Sequence, residues 1–342
     1  MTAIRPLAAA RRSGWHDHGQ RGAALLMALI IVTLVTTLAA SMVWQQWRAV
    51  QVEAAERARA QSAWILIGAL DWARVILRED GRPSAEQVDH LGEPWAVPLA
   101  EARLSTFLAV DESNAEDAPD TFLSGVIVDA QSRYDLRNLL LPNKKTDKDQ
   151  LRVLQALCTN LNVAQNVATL IATGLENAEG GTLTAVGTPA SGATGTSNEA
   201  RPLKPMKVEQ LSWLGVDAES LKRLEPYVWL SPDNQPTKVN LNTAPREVLA
   251  AVIPKLDLGT AERLVQIRGR APFKKTSDAE AQMGGIKLEN ARVSVTTNYF
   301  VVTGRLRLAN QVLEQRSLVR RTSSPLVVVP ITREWVNSAD PG

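Results

Sequence analysis

From Ala23 to Val43 the chain reads AALLMALIIVTLVTTLAASMV, 21 residues without a charge. As a helix this run is about 31 Å long at 1.5 Å per residue, enough to cross a hydrocarbon core of ~30 Å. Trp44 and Trp47 follow at once, where indoles favour a membrane interface. No proline or glycine interrupts residues 23–67, so the pattern predicts one helix running on to about Leu77. Leu66, Ala69, Leu70, Ala73, Ile76 and Leu77 repeat at helical spacing, while Asp71, Arg74 and Arg78 share the other face. One side of this segment is therefore to be covered, by a sheet or by a second helix in a coiled-coil stalk. Ala54, Ala55, Ala58 and Ala60 permit close packing without choosing between the two.

Gly81-Arg82-Pro83 ends the helical pattern, and segments of apolar and β-branched content follow. LSTFLAV at 104–110 and FLSGVIVDAQSRYDLRNLL at 122–141 predict strands, with the acidic stretch Asp111–Asp120 as the loop between them. Leu151, Leu154, Leu157 and Leu161 return to helical spacing, and a second apolar set runs from Val163 to Ile171. Residues 178–200 are rich in Gly, Ser and Thr with little to bury, and predict a loop. Helical signals resume at Lys207–Leu214 and Ala218–Tyr227. In VNLNTAPREVLAAVIPKLDLGTAERLVQIRGRAPF, residues 239–273, Asn242 or Thr243 can cap a helix starting near Pro245, and a second helix follows over Thr260–Ile267. Alternation from Val293 to Thr303, extended by Leu306 and Leu308, with a return over Val312–Val319 after a turn near Asn310, predicts an antiparallel hairpin. If that hairpin rejoins the strands at 104–128, the helical middle is an insertion into one sheet. Beyond Ser323 the reading is a tail.

Charge is distributed unevenly. Residues 1–22 hold four arginines against the single acid Asp17, for +3, so the overall +2 leaves −1 for everything that follows. The arginines ahead of Ala23 predict a cytoplasmic N-terminus and place the body across the membrane. A body near neutrality makes no general case for nucleic acid. Cys158 is the only cysteine, which excludes an intramolecular disulfide and a Cys-cluster zinc site. His90 is the only histidine outside the first 22 residues, and the chain has neither a GxSxG elbow nor a phosphate-binding glycine loop. No catalytic constellation stands out, so the chain is not expected to be an enzyme.

The apolar run is too long for an ordinary secretory signal, and Leu38 breaks an A-x-A site at Ala40. The junction QRG/AALLMALIIVTLVTTLAAS instead resembles the type IV prepilin class, whose peptidase cuts after the glycine on the cytoplasmic face. That resemblance implies cleavage between Gly22 and Ala23 and methylation of Ala23. The fifth residue of the mature chain is then Met27, where most of the class carries glutamate. Met27, WAVPL at 95–99, IVDAQSRYDLRNL and VNLNTA occur in the order of the minor pseudopilin K family of type II secretion, which the chain resembles over roughly 13–321. A carboxylate inside the bilayer needs a partner such as a neighbour's N-terminal ammonium. A subunit at the end of a filament has no such neighbour above it.

The resemblance implies an α+β, type IV pilin-like fold, a long N-terminal helix packed on an antiparallel sheet, with a large α-helical domain inserted in the sheet. The implied layout is a leader over 1–22, membrane segment and helix over 23–80, first pilin-like part over 81–141, insert over 142–290, closing strands over 291–322 and tail over 323–342. It implies a tip subunit that starts pseudopilus assembly with minor pseudopilins I and J in the Gram-negative inner membrane, N-terminus cytoplasmic and bulk periplasmic. The prepilin peptidase, the assembly platform and the secretin or a secreted substrate are the other implied partners. The family also binds calcium through acidic residues around the insert, for which Glu176 and Glu179 are the candidates here, a thin set against the six to eight oxygens calcium takes. Because 239–273 also resembles a helix-hairpin-helix unit, a membrane-anchored DNA-binding or uptake protein is the rival reading. Its hairpin, Lys255-Leu256-Asp257-Leu258-Gly259, has one glycine and an acid where a phosphate cradle needs free amides.

Overall fold

The computed structural model describes residues 18–82, 88–104, 121–180, 202–233, 235–288, 292–308 and 311–336. Helix α1, His18–Asp80, is a single element of 63 residues. Two compact units divide the chain at Ala63/Trp64. In the first, the apolar side chains from Leu25 to Val43 are exposed all round, as suits a lipid-facing helix. In the second, the last turns of α1 bury Leu66, Leu70, Ala73 and Leu77, the face that the spacing predicts.

Those side chains lie on a five-stranded sheet of order β1 (Leu99–Arg103), β2 (Thr121–Asp129), β7 (Tyr299–Leu308), β8 (Gln311–Ser323) and β9 (Leu326–Val336), antiparallel throughout. Leu70, Ala73 and Leu77 pack with Trp95, Phe300, Val302, Val319 and Val328, and Leu66 with Leu123 and Leu306. A Cβ on Gly304 would stand 3.1 Å from Leu66, so glycine on β7 lets the helix settle close to the sheet. WAVPL contributes a short 3-10 turn, Pro94–Ala96, that drops Trp95 into this core edge-on to Phe300, with centroids 5.2 Å apart.

β2 and β7 are neighbours in register from Thr121↔Leu308 to Asp129↔Phe300, so all that lies between them in sequence is inserted between adjacent strands. The insert has its own core. It is built on α2 (Lys148–Asn160), α3 (Gln165–Ala178), α4 (Ala218–Leu224), α5 (Arg246–Val252), α6 (Leu258–Arg270) and α7 (Thr276–Glu280). Two parallel strand pairs, β3 (Tyr134–Asp135) with β4 (Val228–Trp229) and β5 (Val239–Asn240) with β6 (Val293–Ser294), flank these helices.

Three sequence expectations change. The supposed tail holds β9, eleven residues paired along β8 and anchored to α1 where Arg74 Nε donates to the Val328 carbonyl at 2.8 Å. The alternation starting at Val293 is broken, since only Val293–Ser294 pairs there and β7 begins at Tyr299. Lys207–Leu214 forms a 3-10 helix over Val208–Leu214. The expected strand at 104–110 and the acidic loop Asp111–Asp120 lie, past Leu104, outside the described residues, as does most of the 178–200 loop.

Candidate functional site

Gly22 and Ala23 both lie within helical backbone, and among the described residues nothing beyond that local backbone comes within 4 Å of the position a Cβ on Gly22 would take. Gly22, Ala23 and Met27 are all exposed. Among the described residues, α1 is the one helix long and apolar enough to cross a membrane.

On the body, the part of α1 opposite its buried face presents Trp64 and Trp72, 73% and 53% exposed. Between this helix and the β1–β2 side of the sheet runs an apolar cavity of about 730 Å³ lined by Trp64, Gly68, Trp72, Val97, Leu99 and Val126 among others. Exposed tryptophans beside an apolar cleft are suited to a protein partner, since large aromatics supply most of the energy at interface centres.

A buried polar joint ties helix, sheet and insert together. Asp129, at the end of β2, accepts from Gln131 N (2.7 Å) and Thr297 Oγ1 (2.7 Å) on one oxygen, and from Asn240 Nδ2 (3.0 Å) and Thr243 Oγ1 (2.6 Å) on the other. Burial pushes its pKa up, and these hydrogen bonds oppose the rise. Asn240 also donates to the Asp89 carbonyl at 3.0 Å, and Asn242 clamps Phe273 through both its backbone groups. Asn240 and Thr243 of VNLNT thus hold the insert to the end of β2, while Asn242 ties the strand to the segment after the helix pair within the insert. They do not cap a helix as expected: the N-cap of α5 is Pro245, with no side-chain cap. A glutamine or asparagine in a strand-like context signals such a joint only weakly, and nothing in the spacing names Asp129 as its acceptor.

Arg321 closes the same joint from β8. Its Nη1 donates to Asp80 at 2.6 Å, its Nη2 pairs with Asp89, and its guanidinium lies 5.0 Å from the centre of the Phe300 ring. A Cβ on Gly81 would meet the Arg321 side chain at 3.0 Å, so glycine here lets α1 end against that arginine. Glu93 accepts from the Trp95 indole and, at 3.1 Å, from His90 N. Asp80, Asp89 and Glu93 crowd together with one guanidinium between them. Burial lifts Asp89 to about 6 against the pull of Arg321, and burial with the nearby Asp80 charge lifts Glu93 to about 7.

The helix-hairpin-helix resemblance extends to a real helix pair but not to its chemistry. Asp257 caps α6, accepting from Thr260 N (2.9 Å) and Thr260 Oγ1 (2.8 Å), so a carboxylate sits where phosphate would have to approach. Lys255 takes the left-handed turn conformation (φ 67) that a glycine would supply in an open cradle. Arg268 is buried with Nη1 on the Leu241 carbonyl at 2.5 Å, so it presents no cation to a phosphate. Arg246 is spanned by Glu247 (2.8 Å) and Glu262 (3.2 Å). The hairpin is a packing unit.

In each calcium candidate one carboxylate oxygen is already engaged twice by the protein. Glu176 Oε2 accepts from Thr146 N (2.9 Å) and Thr146 Oγ1 (2.6 Å). Glu179 Oε1 pairs with Arg137 Nη1 at 3.1 Å and with Lys204 Nζ. Among the described residues, two cations rather than further oxygens face Glu179, so these residues do not fit a calcium ion.

Two family profiles described as type II secretion system (T2SS), protein K, match residues 132–233 and 239–303. A type II secretion system protein K of Pseudomonas aeruginosa is 28% identical over 309 residues, 86% of each chain. The Klebsiella pneumoniae protein of the same description is 26% identical over 343 residues, 92% of this chain and 96% of its own. Among solved structures, a chain of the GspK-GspI-GspJ complex from the type 2 secretion system of enterotoxigenic Escherichia coli superposes with TM-score 0.63 at 19% identity, covering 83% of this chain and 99% of that one. Both profiles fall on the insert and its joint, the parts that distinguish this fold from a plain helix-on-sheet protein. The chain belongs to the type II secretion system protein K family.

Proposed function

We propose that the chain is the tip subunit of the type II secretion pseudopilus, where it starts filament assembly as a minor pseudopilin and supports export of folded proteins. The observation that carries this reading is the insert between β2 and β7, a separately cored domain mounted on the helix-and-sheet scaffold. A domain of that bulk is compatible with a terminal position and awkward within a closely stacked filament. Minor pseudopilins I and J are the proposed partners, by analogy with the complex in which the structural relative was solved. The exposed Trp64 and Trp72 and the adjoining apolar cleft support a protein partner on α1.

In this reading the prepilin peptidase cuts between Gly22 and Ala23 and Ala23 is methylated. The segment from Ala23 stays in the inner membrane with the body in the periplasm. Met27 takes the place of the glutamate that a subunit with a neighbour above it would need. The work is mechanical, without a catalytic residue. The capped hairpin and buried Arg268 speak against DNA uptake.

Deletion of the chain in its host is expected to abolish secretion, with restoration by the wild type and not by Gly22→Glu, which blocks processing. Full secretion by the Gly22→Glu protein with its leader intact would refute the processing step. Salt-sensitive duplex binding by the purified chain would favour the DNA reading instead.

A further inference from the structure

The chain leaves the described part of the insert after Gly180 and re-enters it at Pro202, and one cluster of charge holds both sides. Arg137, in the 3-10 turn Leu136–Leu139, has a side chain only 3% exposed. Its Nη1 lies 3.1 Å from Glu179, the C-cap residue of α3, and its Nη2 donates to the Pro205 carbonyl at 2.7 Å. Lys204 Nζ reaches the same Glu179 oxygen, and that side chain is 9% exposed. Oxygen donors from both sides of positions 181–201 thus converge on positive charge, the arrangement of a metal site, except that the cations belong to the polypeptide.

We propose that Arg137 and Lys204 form a built-in cation staple that replaces calcium, so that the insert is stable without any divalent ion. A buried carboxylate without a counter-charge is costly, and two cations on one oxygen supply what a divalent ion would. Burial pulls the Arg137 pKa down, while Glu179 and Asp135 hold it up. A calcium ion at Glu179 would have to displace both cations and then sit beside them. Glu176, on the preceding turn of the same helix, commits its Oε2 to Thr146 N and Oγ1.

The test uses the full chain in detergent, unfolded thermally in EDTA and in millimolar calcium chloride, with calorimetric titration of calcium alone. The staple predicts the same midpoint in both solutions and no saturable heat. A midpoint raised by calcium or lowered by EDTA would overturn it. Arg137→Met and Glu179→Gln are each expected to lower the midpoint by roughly 5 °C or more, and the double variant by clearly less than their sum. Strict additivity would also overturn the staple, since a side chain that merely fills space has no reason to couple to the charge of Glu179. If either variant fails to fold, the two wild-type arms decide alone.

Discussion

The helix-on-sheet part of the body and the insert are both cored by leucine, yet they are finished differently. The insert buries Leu136, Leu139, Leu154, Leu157, Ile171, Leu175 and Leu211 almost completely in one continuous cluster. The helix-on-sheet part divides its apolar contacts between two smaller clusters and leaves an open cleft flanked by exposed tryptophans. The insert is self-sufficient, whereas the scaffold beneath it carries apolar surface that an assembly can cover. The polar joint around Asp129 links a finished domain to an unfinished one.

Removing the joint should give the largest effect. Asp129→Ala removes the acceptor of four hydrogen bonds in a buried joint, and a loss of about 3–5 kcal/mol is expected. Calorimetry should then resolve two transitions, against a single one expected for the wild type. A single transition with an unchanged midpoint would mean that the parts are held otherwise. Next come matched core truncations. Leu154→Ala should cost about 2–5 kcal/mol, and Leu70→Ala should fall nearer the lower end, because neighbours of the cleft can relax into the space. Equal losses measured by chemical denaturation would remove the contrast between the two cores.

The acidic cluster gives a smaller, pH-dependent effect. Asp89 at about 6 and Glu93 at about 7 are raised above their unfolded values near 4, so folding takes up protons at both. Their stabilising contribution is complete below about pH 4 and is lost as pH climbs through 6 and 7. The unfolding midpoint is therefore expected to be higher at pH 5 than at pH 8, and Glu93→Gln should flatten that slope. Under stronger acid the sign reverses, since Asp217 and Asp257 are held below the usual range by the backbone amides they cap. A rising midpoint between pH 5 and 8 would contradict the burial of this cluster. Smallest of all is Trp64→Ala, which should change the stability of the isolated chain by no more than about 0.5 kcal/mol and yet weaken its complex with partner pseudopilins.

Much of the architecture is legible in the sequence because it is periodic. Leu66, Leu70, Ala73 and Leu77 announce their buried face, and the apolar, β-branched content of FLSGVIVD together with the later hairpin is enough to read the insert as an insertion. β9 is missed because Pro330 interrupts LVVVPITREWV, and a proline argues against a strand unless, as here, the strand lies at the sheet edge. The joint is missed for another reason. Asp129, Asn240, Thr243 and Thr297 lie up to 168 residues apart, and hydrogen bonds between such positions leave no period to read. For Glu176 and Glu179, residue type alone suggests metal ligands, but Arg137 and Lys204 are remote in sequence and only the fold brings them to Glu179.

Native mass spectrometry tests most directly the proposal that this chain caps a pseudopilus together with two partner subunits. The full chain is co-expressed with the minor pseudopilins I and J of its own host and purified through one tag in detergent. The account predicts a complex with one copy of each subunit, in which this chain begins at a methylated Ala23. Recovery of this chain alone, or with residues 1–22 still attached, would contradict it.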